Sequence, residues 1–164
     1  MVSTPQPTLR DRAWSAAAAV PDPELPMLTI AELGILRGVE LVDRFVEVTI
    51  TPTYSGCPAM AAIALDIERA LHEAGIENTR IRLVLAPAWT TDWLTDEARA
   101  KLARNGIAPP GARGSNCLFD NTPVPCPRCE SNATERIAEF GATACKSIWR
   151  CTACREPFDH FKCH

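Results

Sequence analysis

Apolar residues recur along the chain with two periods, and the changes between them mark out the elements. Leu9, Ala13, Trp14 and Ala17 fall on one side of a short helix that Pro21 ends. Ile35 to Val42 and Phe45 to Thr51 predict a hairpin turning at Asp43 and Arg44. In its second arm Val46, Val48 and Ile50 alternate with Glu47, Thr49 and Thr51, so one face of the sheet is buried. Met60, Ile63, Ala64, Ile67, Leu71 and Ala74 then follow at helical spacing until Gly75 supplies a stop. Arg80 to Leu85 predicts a third strand with Ile81, Leu83 and Leu85 inward, and Thr95 caps a helix that runs to Asn105 and Gly106. The order α-β-β-α-β-α describes a small α+β domain.

Periodicity stops there. Residues 109–124, rich in proline and glycine around a lone Cys117, read as a linker. The expected organisation is an N-terminal tail and helix (1–19), an α+β domain (20–108), the linker, and a cysteine module (125–164). The 164 residues suffice for one ordinary core and a satellite module. A formal net charge of -3 gives nucleic-acid binding no electrostatic footprint. No segment has the roughly 18 consecutive apolar residues that would span a bilayer, and no export signal is evident, so a cytoplasmic location is expected. Reducing conditions there make the eight cysteines ligands or reactive thiols rather than a disulfide framework.

Cys126-Pro-Arg-Cys129 and Cys151-Thr-Ala-Cys154 are C-x-x-C pairs separated by 21 residues. Four thiolates so spaced close a tetrahedral shell around one zinc ion, and a four-sulfur iron centre is the alternative. Ile137, Phe140, Ile148, Trp149, Phe158 and Phe161 make only a thin core for about forty residues. Metal binding, worth roughly 10–16 kcal/mol in small zinc peptides, supplies the deficit. A hairpin centred near Cys154 would set Cys145 opposite Cys163, as a second metal half-site, a redox-sensitive dithiol, or two small buried residues.

In Thr53-Tyr-Ser-Gly-Cys57-Pro58 the proline suits the first helical position, which makes Cys57 the N-cap of the following helix. Free N–H groups and the helix dipole there should lower its thiol pKa. Hydrolytic chemistry finds no base, because His72 lies four turns down the same helix. Asp22 and Glu24 sit on a stiff loop set by Pro21, Pro23 and Pro26. They are either metal-site carboxylates or, more commonly for such residues, caps and partners of surface arginines. Trp89 and Trp93 read as core or interface residues rather than a substrate platform.

Asp22-Pro-Glu-Leu-Pro26, Glu32-Leu-Gly34 and Thr53-x-x-Gly56-Cys57-Pro58 together resemble the MIP18 family, which is associated with iron-sulfur assembly. Pro52-Thr-Tyr-Ser-Gly-Cys-Pro58, Ala86-Pro-Ala-Trp-Thr-Thr-Asp-Trp93, Cys126-Pro-Arg-Cys129, Phe140-Gly-Ala-Thr-Ala-Cys-Lys146 and Cys151-x-x-Cys-Arg-Glu-Pro-Phe158 are similar to the D-component family of bacterial phenylacetyl-CoA epoxidase systems. This likeness implies a MIP18-like domain followed by a zinc ribbon, in an accessory component of an oxygenase acting in phenylacetate catabolism. In that family a di-iron subunit with a separate flavin and iron-sulfur reductase carries out the epoxidation. This chain has neither paired E-x-x-H helices nor a G-x-G-x-x-G turn, so its residues agree that it is a helper and not the catalyst. The leading expectation is maturation, with Cys57, Asp22, Glu24 and Thr53 holding iron or a cluster transiently while the zinc module docks on the reductase or oxygenase. The rivals are a structural subunit of the complex and, ranked last, a thiol-redox enzyme.

Overall fold

The computed structural model describes residues 6–111 and 123–163. It divides into two compact units, one ending at Ala88 and the other beginning at Trp89. The first unit opens with α1 (Leu9–Ala18), started by a reciprocal capping box between Thr8 and Asp11. Ala13 and Ala17 are buried on its inner side, whereas Leu9 and Trp14 keep much of their surface in water.

Strands β1 (Leu36–Val42) and β2 (Phe45–Ile50) pair antiparallel across a turn in which Asp43 takes a left-handed φ of 53°. Helix α2 (Ala59–Glu73) returns the chain so that β3 (Thr79–Leu83) pairs parallel to β2, giving the order β1-β2-β3. Register aligns Val39, Val48 and Ile81 in one row and Ile50 with Leu83 in another. Val39, Val46, Val48 and Ile50 are buried together with Ile63, Ile67 and Leu71 of α2. Leu83, at the end of the edge strand β3, and Leu85, beyond it, both expected inward, are largely exposed.

The second unit has a short turn at Thr91–Trp93, then α3 (Asp96–Arg104), β4 (Ile107–Ala108), β5 (Thr134–Ala138), β6 (Lys146–Cys151) and β7 (Pro157–Phe161). The strand order is β4-β7-β6-β5, with β4 parallel to β7 and the other pairs antiparallel. The compact units therefore part twenty residues before the boundary at 108/109 read from the sequence. Two contacts explain this. Trp89 is buried edge-on against Phe161 of β7, with ring centroids 6.2 Å apart. Arg99 of α3 donates to the carbonyls of Thr91 at 2.8 Å and of Pro110 and Gly111 at 2.9 Å, tying the unit's first turn to the chain leaving β4. Most of the expected linker 109–124, including Cys117, lies outside the described residues.

Among the described residues no helix is long and apolar enough to cross a membrane.

Candidate metal centre

The two C-x-x-C segments fold as matching knuckles. In the first, Cys126 N–H donates to Ser131 O at 3.0 Å and Glu130 N–H to Cys126 O at 2.8 Å; in the second, Cys151 N–H donates to Glu156 O at 2.9 Å. The residue after the second cysteine is left-handed in each, Glu130 at φ 60° and Arg155 at φ 65°. This conformation turns the chain back sharply enough to bring both sulfurs of a knuckle to one point. Arg128 of one knuckle and Glu156 beside the other form an ion pair at 2.7 Å.

The four sulfurs lie within 4.8 Å of one another. Cys126 and Cys154 are 3.7 Å apart, and Cys129 and Cys151 are 3.6 Å apart. A tetrahedral ion with bonds of about 2.3 Å requires sulfur separations of roughly 3.8 Å, so the donor set and spacing fit Zn²⁺. Cys126 and Cys151 are buried with Ala108 and Phe158, against Val124 and Trp149, while Cys129 and Cys154 face solvent.

The thiols also show why an ion belongs there. The backbone N–H of Cys154, 3.5 Å from the Cys151 sulfur, helps lower that thiol to about 7. The Ser131 N–H favours the Cys129 thiolate, yet local desolvation within the cluster and the other three cysteines push this solvent-facing thiol up to about 12. Four adjacent thiolates cannot all form without a cation among them.

In the first unit Cys57 does not cap α2: Pro58 does, without a side-chain hydrogen bond. The expected lowering of its pKa is reversed. Burial is the main cause of the rise, which Glu24 and Asp22 reinforce through their charge; the Ala59 N–H and the Thr53 side chain oppose it by hydrogen bonding. Cys57 is thus a neutral thiol under the influence of two carboxylates and a hydroxyl, and three of the residues singled out in the sequence, Asp22, Glu24 and Thr53, act on the sulfur of the fourth. Asp22 is buried, and its Oδ1 accepts the N–H groups of Glu24 and Leu25, both at 2.8 Å, which fixes the turn carrying Glu24.

Cys145 and Cys163 are not set opposite one another. The Cys151–Glu156 hydrogen bond closes a four-residue loop, which moves the register one residue from a hairpin centred on Cys154. Lys146 then faces Phe161, and Lys162 N–H donates to Cys145 O at 2.8 Å. The Cys145 sulfur lies 3.0 Å from Thr143 Oγ1; Cys163, its sulfur 3.4 Å from Thr91 Oγ1, is disulfide-bonded rather than the reactive thiol expected, so the two do not make a thiol pair. The sequence reading missed Glu130 and Arg155, since neither is the glycine that signals a left-handed turn.

Fold and site together define a protein with an iron-sulfur-assembly type α+β unit and a metal-binding β-ribbon. Residues 10–86 match the iron-sulfur cluster assembly protein family and residues 113–162 the PaaD zinc beta ribbon domain. An Escherichia coli protein named as the D component of a 1,2-phenylacetyl-CoA epoxidase is 47% identical over 92% of this chain and 90% of its own. The chain belongs to that D-component family. Iron-sulfur protein maturation auxiliary factors from Porphyromonas gingivalis and Staphylococcus aureus are each 34% identical over 49% of this chain, and 78% and 93% of their own length. A solved DUF59 domain from Bacillus anthracis covers 57% of this chain and 91% of its own at 25% identity, with a TM-score of 0.52.

Proposed function

We propose that this chain is a non-catalytic maturation component of a phenylacetyl-CoA epoxidase system, and that it handles iron or an iron-sulfur cluster for the oxygenase or its reductase. The observation that carries this reading is the convergence of Asp22, Glu24 and Thr53 on Cys57, in the unit shared with relatives named as iron-sulfur maturation factors. Burial is the main cause that keeps the Cys57 thiol neutral, and the two carboxylates that add to it also attract a cation. A cation's arrival displaces the thiol proton and makes sulfur a ligand, and its departure returns the proton, which suits temporary holding. Gly56, at φ 93°, leaves open space where a Cβ would stand, so the approach to this loop is unobstructed. Zinc at the four cysteines is resident and structural; it supplies the folding energy that the ribbon's thin core lacks.

The test is to co-express the epoxidase components with wild-type chain or Cys57→Ala and to measure iron per oxygenase and per reductase. The variant is expected to leave at least one of them under-loaded while its own zinc stays near one per chain. Full loading of both removes the maturation reading. The E. coli relative's name, which makes it part of the epoxidase, favours a second reading in which the chain stays in the complex and contributes contacts alone. Co-purification with active enzyme at fixed stoichiometry, with iron independent of Cys57, supports that alternative.

A further inference from the structure

Two exposed apolar side chains have no part in either sulfur site. Ile137 and Phe140 stand within three residues of one another at the open β5 edge, 56% and 62% exposed. The register shifts between Arg136 and Ala138, which makes Ile137 the extra residue of a bulge, a device that re-aims a side chain away from the ladder.

Phe140 is held in place. Lys162 Nζ lies 4.1 Å from its ring centroid, is hydrogen-bonded to Glu139 O at 3.3 Å, and sits 3.9 Å from the Glu139 carboxylate. The following loop is pinned as well: Gly141 N–H donates to Lys146 O at 2.8 Å, and Lys146 N–H to Thr143 O at 3.2 Å. A Cβ at Gly141 would meet Lys146 Cβ at 3.5 Å and Asp159 Oδ1 at 3.6 Å, so the loop lies close against β6 and β7. An aromatic ring already fixed in an exposed position loses little entropy when a partner covers it. Arg136, 2.8 Å from Glu139, and Lys162 share that one carboxylate, so the rim carries an excess positive charge on a chain whose net charge is -3.

We propose that Phe140 and Ile137 form a docking anchor for a protein partner offering an apolar socket rimmed by carboxylates. The charge selects such a partner over a second copy, which would bring Arg136 and Lys162 against themselves. The bulge also breaks the flat edge that strand addition needs. This inference rests on the reading that the chain serves an epoxidase system, and it assigns the contact to an oxygenase or reductase component.

The experiment measures binding of full-length, zinc-loaded chain to each purified oxygenase and reductase component from the same organism. Phe140→Ala is expected to weaken binding about 30-fold or more, as for a central aromatic anchor. Arg136→Glu should slow association and flatten its salt dependence. Zinc content and the amide spectrum of each variant must match wild type, and Ile137→Ser serves as the second variant if one fails to fold. Wild-type affinity in both apolar variants overturns the proposal. So does binding by neither component, or a wild-type dimer in sedimentation that Phe140→Ala dissolves. Phe140-dependent binding with Cys57-independent iron loading keeps the anchor and removes the maturation reading.

Discussion

Trp89 is the most direct test of where the ribbon unit begins. Its side chain is 5% exposed and meets Phe161 edge-on. Burying roughly 200 Å² of aromatic surface at about 25 cal/mol/Å² gives an upper figure near 5 kcal/mol. The fraction that alanine retains brings Trp89→Ala to a loss of about 3–4 kcal/mol, within the usual range for a buried aromatic. The readout is amide hydrogen exchange of the zinc-loaded chain. If Trp89 belongs to the ribbon's cooperative unit, the amides of β6 and β7 should exchange about 100-fold faster or more in the variant, while those of β1 and β2 keep their rates. Acceleration confined to residues 89–104, with β6 and β7 unchanged, would show that the segment is an appendage and refute the reasoning.

Arg155 is left-handed and exposed in the second knuckle, where a non-glycine residue costs about 1–2 kcal/mol and glycine's added chain entropy returns part of that. Arg155→Gly should therefore gain about 0.5–1 kcal/mol, seen as slower zinc loss to a chelator; Arg155→Ala, which keeps the strain and removes the same charge, should gain nothing. His160 is pushed down to about 4 by burial, with the Lys162 charge adding to it; Ser147 Oγ lies 3.4 Å from its Nδ1, and Trp149 Nε1–H donates to that hydroxyl at 3.0 Å. Because the folded pKa is below the unfolded value of 6.5, the neutral ring stabilises the fold above 6.5, and this is lost as pH falls from 6.5 toward 4. The loss is at most about 3 kcal/mol. An NMR titration should place the imidazole midpoint well below 6.5, and His160→Gln should flatten the acid limb of stability; a midpoint above 6 would contradict the burial argument.

What the sequence made legible was whatever depends on short-range pattern. Val46, Val48 and Ile50 alternate because one face of β2 is covered, and Ile63, Ile67 and Leu71 share a helix face because α2 covers it. The clustering of Cys126, Cys129, Cys151 and Cys154 was legible because knuckle spacing is local. What failed needed non-local information. Nothing near Leu83 in the sequence says that its strand lies at an edge, and the place of residues 89–108 in the second unit depends on contacts such as Trp89 with Phe161, far along the chain. The Cys145 register turned on a single-residue difference in loop length, and in a ladder of period two such a shift moves every side chain to the other face. Cys57 was misjudged because a dipole argument considered one helix end alone, while burial and two carboxylates that are distant in sequence outweigh it.

The two sulfur sites make opposite physical choices, and the difference bears on the proposed function. At the ribbon, backbone N–H groups point at sulfur, two of the four ligands lie in the core, and the knuckles hold left-handed residues in place. An ion held there would be bound with the folding energy of the unit and would leave only when the unit opens. Cys57 has less of that closure: the Ala59 N–H reaches its sulfur, but the thiol stays neutral, the loop is open at Gly56, and the acidic groups acting on it are carboxylates rather than further thiols. A cation at Cys57 competes with a proton that returns readily at neutral pH, so its residence should shorten as pH falls, whereas the ribbon should retain zinc through the same range. A site for transient cargo needs the first behaviour, and the part that must stay folded while docked to a partner needs the second.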